Sequence, residues 1–352
     1  MVSMSFALLR VAPLALAAAW VVLSAPAMLA RQAPAATGAD DGARFTAFVQ
    51  DLKAEAVTRG ISAAVAARAL DGLEPLPVVV ARDRDQAEAV LSIDTYVRRR
   101  LTTATVRKAQ RMFTQHRAML DTIGKTYGVQ PRYLVAVWGL ESNFGAFTGV
   151  RPTVQALATL AFDGRRGELF KNELFDALRI VERGHADLDR LKGSWAGAMG
   201  QPQFMPSSYL KYAEDFDGDG RRDIWASQAD VFASIANYLK AYGWDSEATW
   251  GRQVRVPGPV RDTVERAGSR GEGCRAERAL SRRRFLAEWQ EMGVRAADGR
   301  DLPKLERLAS LLDAGDRQFL VYANYEAILG YNCANAYALS VAMLGDRISA
   351  QP

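Results

Sequence analysis

The residues whose types and spacing could do chemistry begin in one apolar run. Pro131 to Leu140 is hydrophobic on nearly every side, which predicts a buried helix. That run leads into Glu141-Ser142-Asn143-Phe144-Gly145, so a single carboxylate stands at the end of a dry segment. Loss of water disfavours the charged form and raises a carboxyl pKa, as a general acid requires if it is to protonate a glycosidic oxygen near neutral pH. The competing reading is a helix-terminal Glu capped by Ser142 or Asn143. Further on, Gly193 to Ser208 is too rich in Gly, Gln, Ser and aromatic residues for a core element and suits a wall lined for sugars. One acid beside a polar, aromatic trough points to glycan cleavage. Only His116 and His185 are present, on different predicted helices, so a His-rich zinc site or a Ser-His-Asp triad lacks its parts.

A second chemical signal is Asp215-Phe216-Asp217-Gly218-Asp219-Gly220-Arg221. Asp215, Asp217 and Asp219 fall at positions 1, 3 and 5 of a calcium loop, Gly220 permits the sharp turn at 6, and Arg221 can offer its carbonyl at 7. Position 12 is Ala226 rather than Glu, and Asp230 would close the site only if the loop is longer than standard. An Asx-rich surface turn is the alternative.

These segments, with Phe162-Asp163-Gly164-Arg165-Arg166 and Tyr331-Asn332, resemble the MltB-type lytic murein transglycosylases, glycoside hydrolase family 103, over roughly residues 45–350. The resemblance implies a mainly α (α+β) chain: a lysozyme-like helical catalytic domain with a small β-containing insert and an EF-hand-like calcium loop. It implies cleavage of the β-1,4 bond between N-acetylmuramic acid and N-acetylglucosamine to leave 1,6-anhydromuramoyl ends. Glu141 would act first as acid and then as base, which accounts for the missing second carboxylate of ordinary glycosidases. By the same resemblance, Arg165 and Arg166 contact the glycan or its peptide stem, and Ser194, Gln203 and Phe204 line the trough. Tyr96, Tyr238, Tyr331, Asn332 and Tyr337 match cleft positions. A structural Ca2+ on Asp215, Asp217, Asp219, Arg221 and Asp230 is implied, with no organic cofactor. The implied partners are peptidoglycan strands and other cell-wall enzymes, for a monomeric protein. Ala334 stands where the family commonly has Ser, and Cys333 beside the cleft is a variant feature. The rivals are a hydrolytic muramidase and a non-catalytic, calcium-loop scaffold that binds peptidoglycan.

The rest of the chain has to position these residues. Its 352 residues, 49% hydrophobic, can bury one large core or two smaller ones. Arg10, the apolar run Val11 to Leu23 and Ala25-Pro26-Ala27 predict a cleavable signal peptide over 1–30 and a periplasmic protein, with no cysteine after the run for a lipid anchor. A disordered lead is expected over 31–44, the helical catalytic region over 45–250 with its calcium loop at 215–230, a basic, partly β insert over 251–300, and a C-terminal segment over 301–352 that returns to the cleft. The net charge is +5, and Arg252 to Arg284 holds ten Arg against four acids. No nucleic-acid-binding signature accompanies that run, so a solvated face is the plainer account and nucleic acid is not an expected partner. Cys274 and Cys333 could pair in an exported protein or sit buried as separate thiols. Helices are predicted over 46–70 with a break at Gly60, over 102–127, and over 131–140, 166–184, 228–242, 304–312 and 335–348. Strands are predicted at 253–256 and 318–322.

Overall fold

The computed structural model describes residues 38–85 and 91–349. The expected signal peptide lies outside the described residues, as does the lead up to residue 37. Seven helices come first: α1 (Gly38–Thr58), α2 (Ala63–Leu70), α3 (Pro77–Asp85), α4 (Ile93–Arg100), α5 (Thr103–Gln115), α6 (Arg117–Tyr127) and α7 (Pro131–Ser142). The short strand β1 (Arg151–Pro152) precedes α8 (Thr153–Asp163) and α9 (Gly167–Glu182), and β2 (Lys192–Gly193) pairs back onto β1. Then α10 (Pro206–Tyr212) and α11 (Gln228–Ala241) flank the Asp-rich loop.

A smaller lobe follows: β3 (Gly251–Arg255), α12 (Gly258–Arg266), α13 (Arg275–Arg278), β4 (Arg284–Phe285), α14 (Leu286–Glu291), β5 (Arg295–Ala296), β6 (Leu308–Asp313) and β7 (Gln318–Val321). Its strands form one antiparallel sheet in the order β4-β6-β7-β3-β5. Helices α15 (Ala323–Tyr331) and α16 (Asn335–Ser349) carry the chain back to the helical part.

The axis of the helical part is α7. Pro131 opens it, where a missing N–H costs nothing. Every residue from Tyr133 to Leu140 is buried, with α5, α6, α11 and α16 packed around it. A helix apolar all round can be satisfied only in this way. A second core gathers α1, α2, α8 and α9, and a third sits under the sheet around Trp289.

Four expectations are corrected. The helix expected over 102–127 is two, broken at His116, whose ring packs against Trp138 and Phe232. The helix expected over 304–312 is strand β6, with Ala309–Leu312 buried between β4 and β7. A short apolar run has no period that separates helix from strand, and here neighbouring strands supply its hydrogen bonds. The insert therefore extends to Val321 rather than ending at 300, and only α15 and α16 return to the cleft. Finally, α1 starts at Gly38, inside the expected lead.

Candidate active site

The end of α7 is an unusual turn. Asn143 and Phe144 both adopt left-handed backbone conformations, at φ 51° and 60°, which non-glycine residues accept only when the surroundings enforce them. Lys108 of α5 donates to the Asn143 carbonyl at 2.9 Å. The Phe144 ring stands edge-on to Trp138, 5.5 Å between centroids. Gly139 makes that possible, since a Cβ there would lie 2.5 Å from the ring. Ser142 Oγ donates to the Trp138 carbonyl at 3.1 Å and accepts from Gly145 N–H at 3.0 Å. Ser142 thus closes the turn by itself, and Glu141 is left to project from the helix end with partial exposure.

Burial pushes the Glu141 carboxyl up to about 7, while the Tyr337 hydroxyl and the Arg100 guanidinium oppose the shift. Tyr337, from α16, is buried, and its hydroxyl lacks a well-formed hydrogen bond of its own. Tyr331 also feels the Glu141 charge, and its hydroxyl donates to the Pro202 carbonyl at 2.7 Å. That bond ties the Gly193–Ser208 block to the acid. The Tyr331 ring meets Tyr238 at 4.6 Å, and Tyr238 donates to the Gly330 carbonyl at 2.7 Å. Tyr96 of α4 acts electrostatically on Tyr337. A carboxyl that keeps its proton to near-neutral pH among phenols can donate that proton and later take one back.

The remaining expected residues divide. Phe204 is 2% exposed and packs on Tyr238 and Tyr331, so it supports the phenols and does not line a trough. Tyr238 and Tyr337 are likewise largely buried. Ser194 Oγ accepts from Ala196 and Ala198 N–H at 3.3 and 3.1 Å, closing a tight loop. Gln203, at φ 54°, donates to the Gly200 carbonyl at 2.8 Å. Asn332 is exposed at the end of α15. Arg165 and Arg166 both pair with Asp83 of α3, which is 1% exposed, and no contact joins them to the Glu141 cluster. Their first task is to bind α3 to the start of α9. The Cys274 and Cys333 sulfurs are bonded, which fixes α13 beside the loop after α15.

Two contributors escaped the sequence. Arg100 lies four residues after Tyr96 on one helix face, in an arginine run whose members look alike in sequence. Gln201, 5% exposed, accepts from the Trp138 indole N–H at 2.7 Å and from Gln228 at 2.8 Å, and donates to the Trp225 carbonyl at 2.9 Å. One carboxamide therefore connects the acid's helix with the far end of the Asp-rich loop.

In that loop the carboxylates of Asp215, Asp217 and Asp230 converge, with one oxygen from each within 4.8 Å of the others. Asp230 is fully buried in the first turn of α11 and accepts from Phe216 and Asp223 N–H, both at 2.8 Å. Among the described residues none of the three has an ion-pair partner. Three converging hard oxygen donors are the kind of set that Ca2+ takes. Asp219 falls outside this cluster, its carboxylate accepting from Arg221 N–H at 2.8 Å.

Known proteins place this geometry. A family profile described as "Transglycosylase SLT domain" matches residues 44–346. Membrane-bound lytic murein transglycosylase B of Escherichia coli K12 is 41% identical over 150 residues, which span 42% of this chain and 41% of that protein. SltB3 from Pseudomonas aeruginosa, solved in complex with NAG-anhNAM-pentapeptide, is 39% identical with a TM-score of 0.80, covering 87% of this chain and 80% of that one. The Escherichia coli lytic transglycosylase Slt35, solved in complex with calcium, is 29% identical with a TM-score of 0.71, covering 86% and 92%. The chain belongs to the transglycosylase SLT family.

Proposed function

We propose that this protein is a peptidoglycan lytic transglycosylase with Glu141 as its acid and base. What carries this reading is a single carboxyl, raised to about 7 and ringed by tyrosines, at the end of the most buried helix of a transglycosylase fold. Protonated Glu141 donates to the glycosidic oxygen as the C1–O bond breaks, and N-acetylglucosamine leaves with a free 4-hydroxyl. The muramoyl C6 hydroxyl then attacks C1 and gives its proton to the Glu141 carboxylate, which restores the acid and leaves a 1,6-anhydro end. An internal nucleophile held in place has a very high effective concentration, so one carboxylate suffices. Ser194, Gln203 and Asn332 are the polar side chains proposed to hold the sugar, with Tyr96, Tyr331 and Tyr337 around the acid. The related SltB3, in complex with a NAG-anhNAM-pentapeptide, supports peptidoglycan as the substrate class. Arg165 and Arg166, both part exposed beyond Asp83, are proposed to meet a more distant part of the strand.

Asp215, Asp217 and Asp230 would hold a structural Ca2+, which when bound supplies positive charge to a carboxylate set whose Asp230 member is buried. The calcium complex of Slt35 supports this assignment. Export to the periplasm through the segment over 1–30 fits a cell-wall substrate. Mass spectrometry of sacculi digested by the purified protein tests the activity. Anhydro ends support it, reducing ends would make the protein a muramidase, and intact sacculi would leave a binding scaffold.

A further inference from the structure

Arg100 closes the last turn of α4. Its side chain leaves the same helix face as Tyr96, and its guanidinium lies 6.0 Å from that ring's centroid. Nη2 donates to the carbonyl of Leu140, the residue before the acid. The last carbonyls of a helix have no partner within it, and they form its negative end. A cation placed there satisfies the end of α7 at the residue before the acid, and its charge reaches the carboxyl. Arg98 is engaged otherwise, 3.7 Å from Asp94.

We propose that Arg100 is a positioning residue for the acid, holding the C-terminal end of α7 and serving as counter-cation to the Glu141 carboxylate. This rests on Glu141 being the acid and base. The groups that act on or feel the Glu141 charge are Arg100 from α4, Tyr331 from α15 and Tyr337 from α16, with Tyr96 of α4 acting on Tyr337. From α11 comes Tyr238, in contact with Tyr331, while Lys108 of α5 is held at Asn143 and His116 lies against Trp138. Burial favours the protonated acid, and the Tyr337 hydroxyl and then Arg100 favour the ionised one. Once Glu141 has given up its proton it is a carboxylate in a poorly hydrated site. A fixed cation lowers the energy of that state, so it strengthens the acid at the moment of transfer.

The test compares wild type, R100Q and R100K by the pH dependence of kcat/KM and by NMR titration of the Glu141 side-chain carboxyl, assigned with E141Q. R100Q is expected to move the basic limb and the titration midpoint to higher pH by about half a unit or more, because a cation partly open to solvent acts through screened charge. Turnover near neutral pH should fall by roughly 3- to 10-fold. R100K keeps the charge but not the planar fork, so its limb should stay with wild type while kcat drops. An unmoved limb and midpoint in R100Q overturn the inference, since a merely structural role would lower activity without shifting either. If wild type makes no anhydro products yet the R100Q midpoint still rises, the activity assignment fails while the charge relationship stands.

Discussion

The Gln201 side-chain oxygen accepts from the Trp138 indole N–H at 2.7 Å, three residues before Glu141 on α7. Both groups are buried, at 5% and 3% exposure, and the same carboxamide donates to the Trp225 carbonyl beyond the Asp-rich loop. A rigid acid and a distant carboxylate loop thus share one amide.

Replacing Gln201 with Leu leaves the buried indole donor and the Trp225 carbonyl without partners, and frees the part-exposed Gln228 amide to turn to water. Each unsatisfied buried group costs about 1–3 kcal/mol, so the variant should be destabilised by roughly 2–6 kcal/mol. Urea unfolding checks this, and a change below about 0.5 kcal/mol would show that water replaces the amide without loss.

Glu141 itself should weaken the fold at high pH. Its ordinary value of 4.5 is raised to about 7, so the folded state holds this proton more tightly than the unfolded chain does. That contribution to stability is full below pH 4.5 and is lost as pH rises through 7. Glu141→Gln removes the ionisation, so it should be more stable than wild type at pH 8, on the order of 2 kcal/mol after allowance for partial exposure. The difference should vanish near pH 4. Thermal melts across that range decide it, and a constant difference would contradict the buried-acid picture.

Calcium should raise the melting temperature through linkage, by an amount equal to about 2.7 kcal/mol at one hundred times Kd. Asp217→Ala should abolish the response, because Asp217 is one of the three converging carboxylates. Asp219→Ala should retain most of it, because Asp219 lies outside the cluster. A melt unaffected by calcium or chelator would remove the ion from the account.

The Cys274–Cys333 bond closes a sequence separation of 59 residues, for which chain entropy gives about 4 kcal/mol. Reduction, or the double Ser variant, should lower the unfolding free energy by several kcal/mol and loosen the junction between α13 and the end of α15. Chemical denaturation with and without reductant measures it, and an equal midpoint would mean the cross-link adds nothing.

How much of this was legible in the sequence depended on what each residue answers to. Glu141 was legible because it ends an apolar run, and desolvation follows from that run alone. Asp230 could be suspected but not placed, since its membership depends on how α11 packs against the loop. Phe204 reads as a trough residue and Tyr238 as a cleft residue, yet a ring supporting a phenol and a ring touching a sugar have the same local sequence. The stretch 304–312 reads as a helix, yet residues 308–313 form a strand, because strand partners and not periodicity decide so short a segment. Arg100 and Gln201 act through long-range contacts that no spacing announces.

Glu141 is proposed to move both protons. Wild type and Glu141→Gln should be compared on intact sacculi, with 1,6-anhydro ends counted by mass spectrometry and bound protein measured in parallel. Gln keeps shape and hydrogen bonding but has no transferable proton, so release of anhydro ends should fall by a factor of at least about 1,000 while binding stays near wild type. Release within a few-fold of wild type would contradict the account and place the chemistry on another residue.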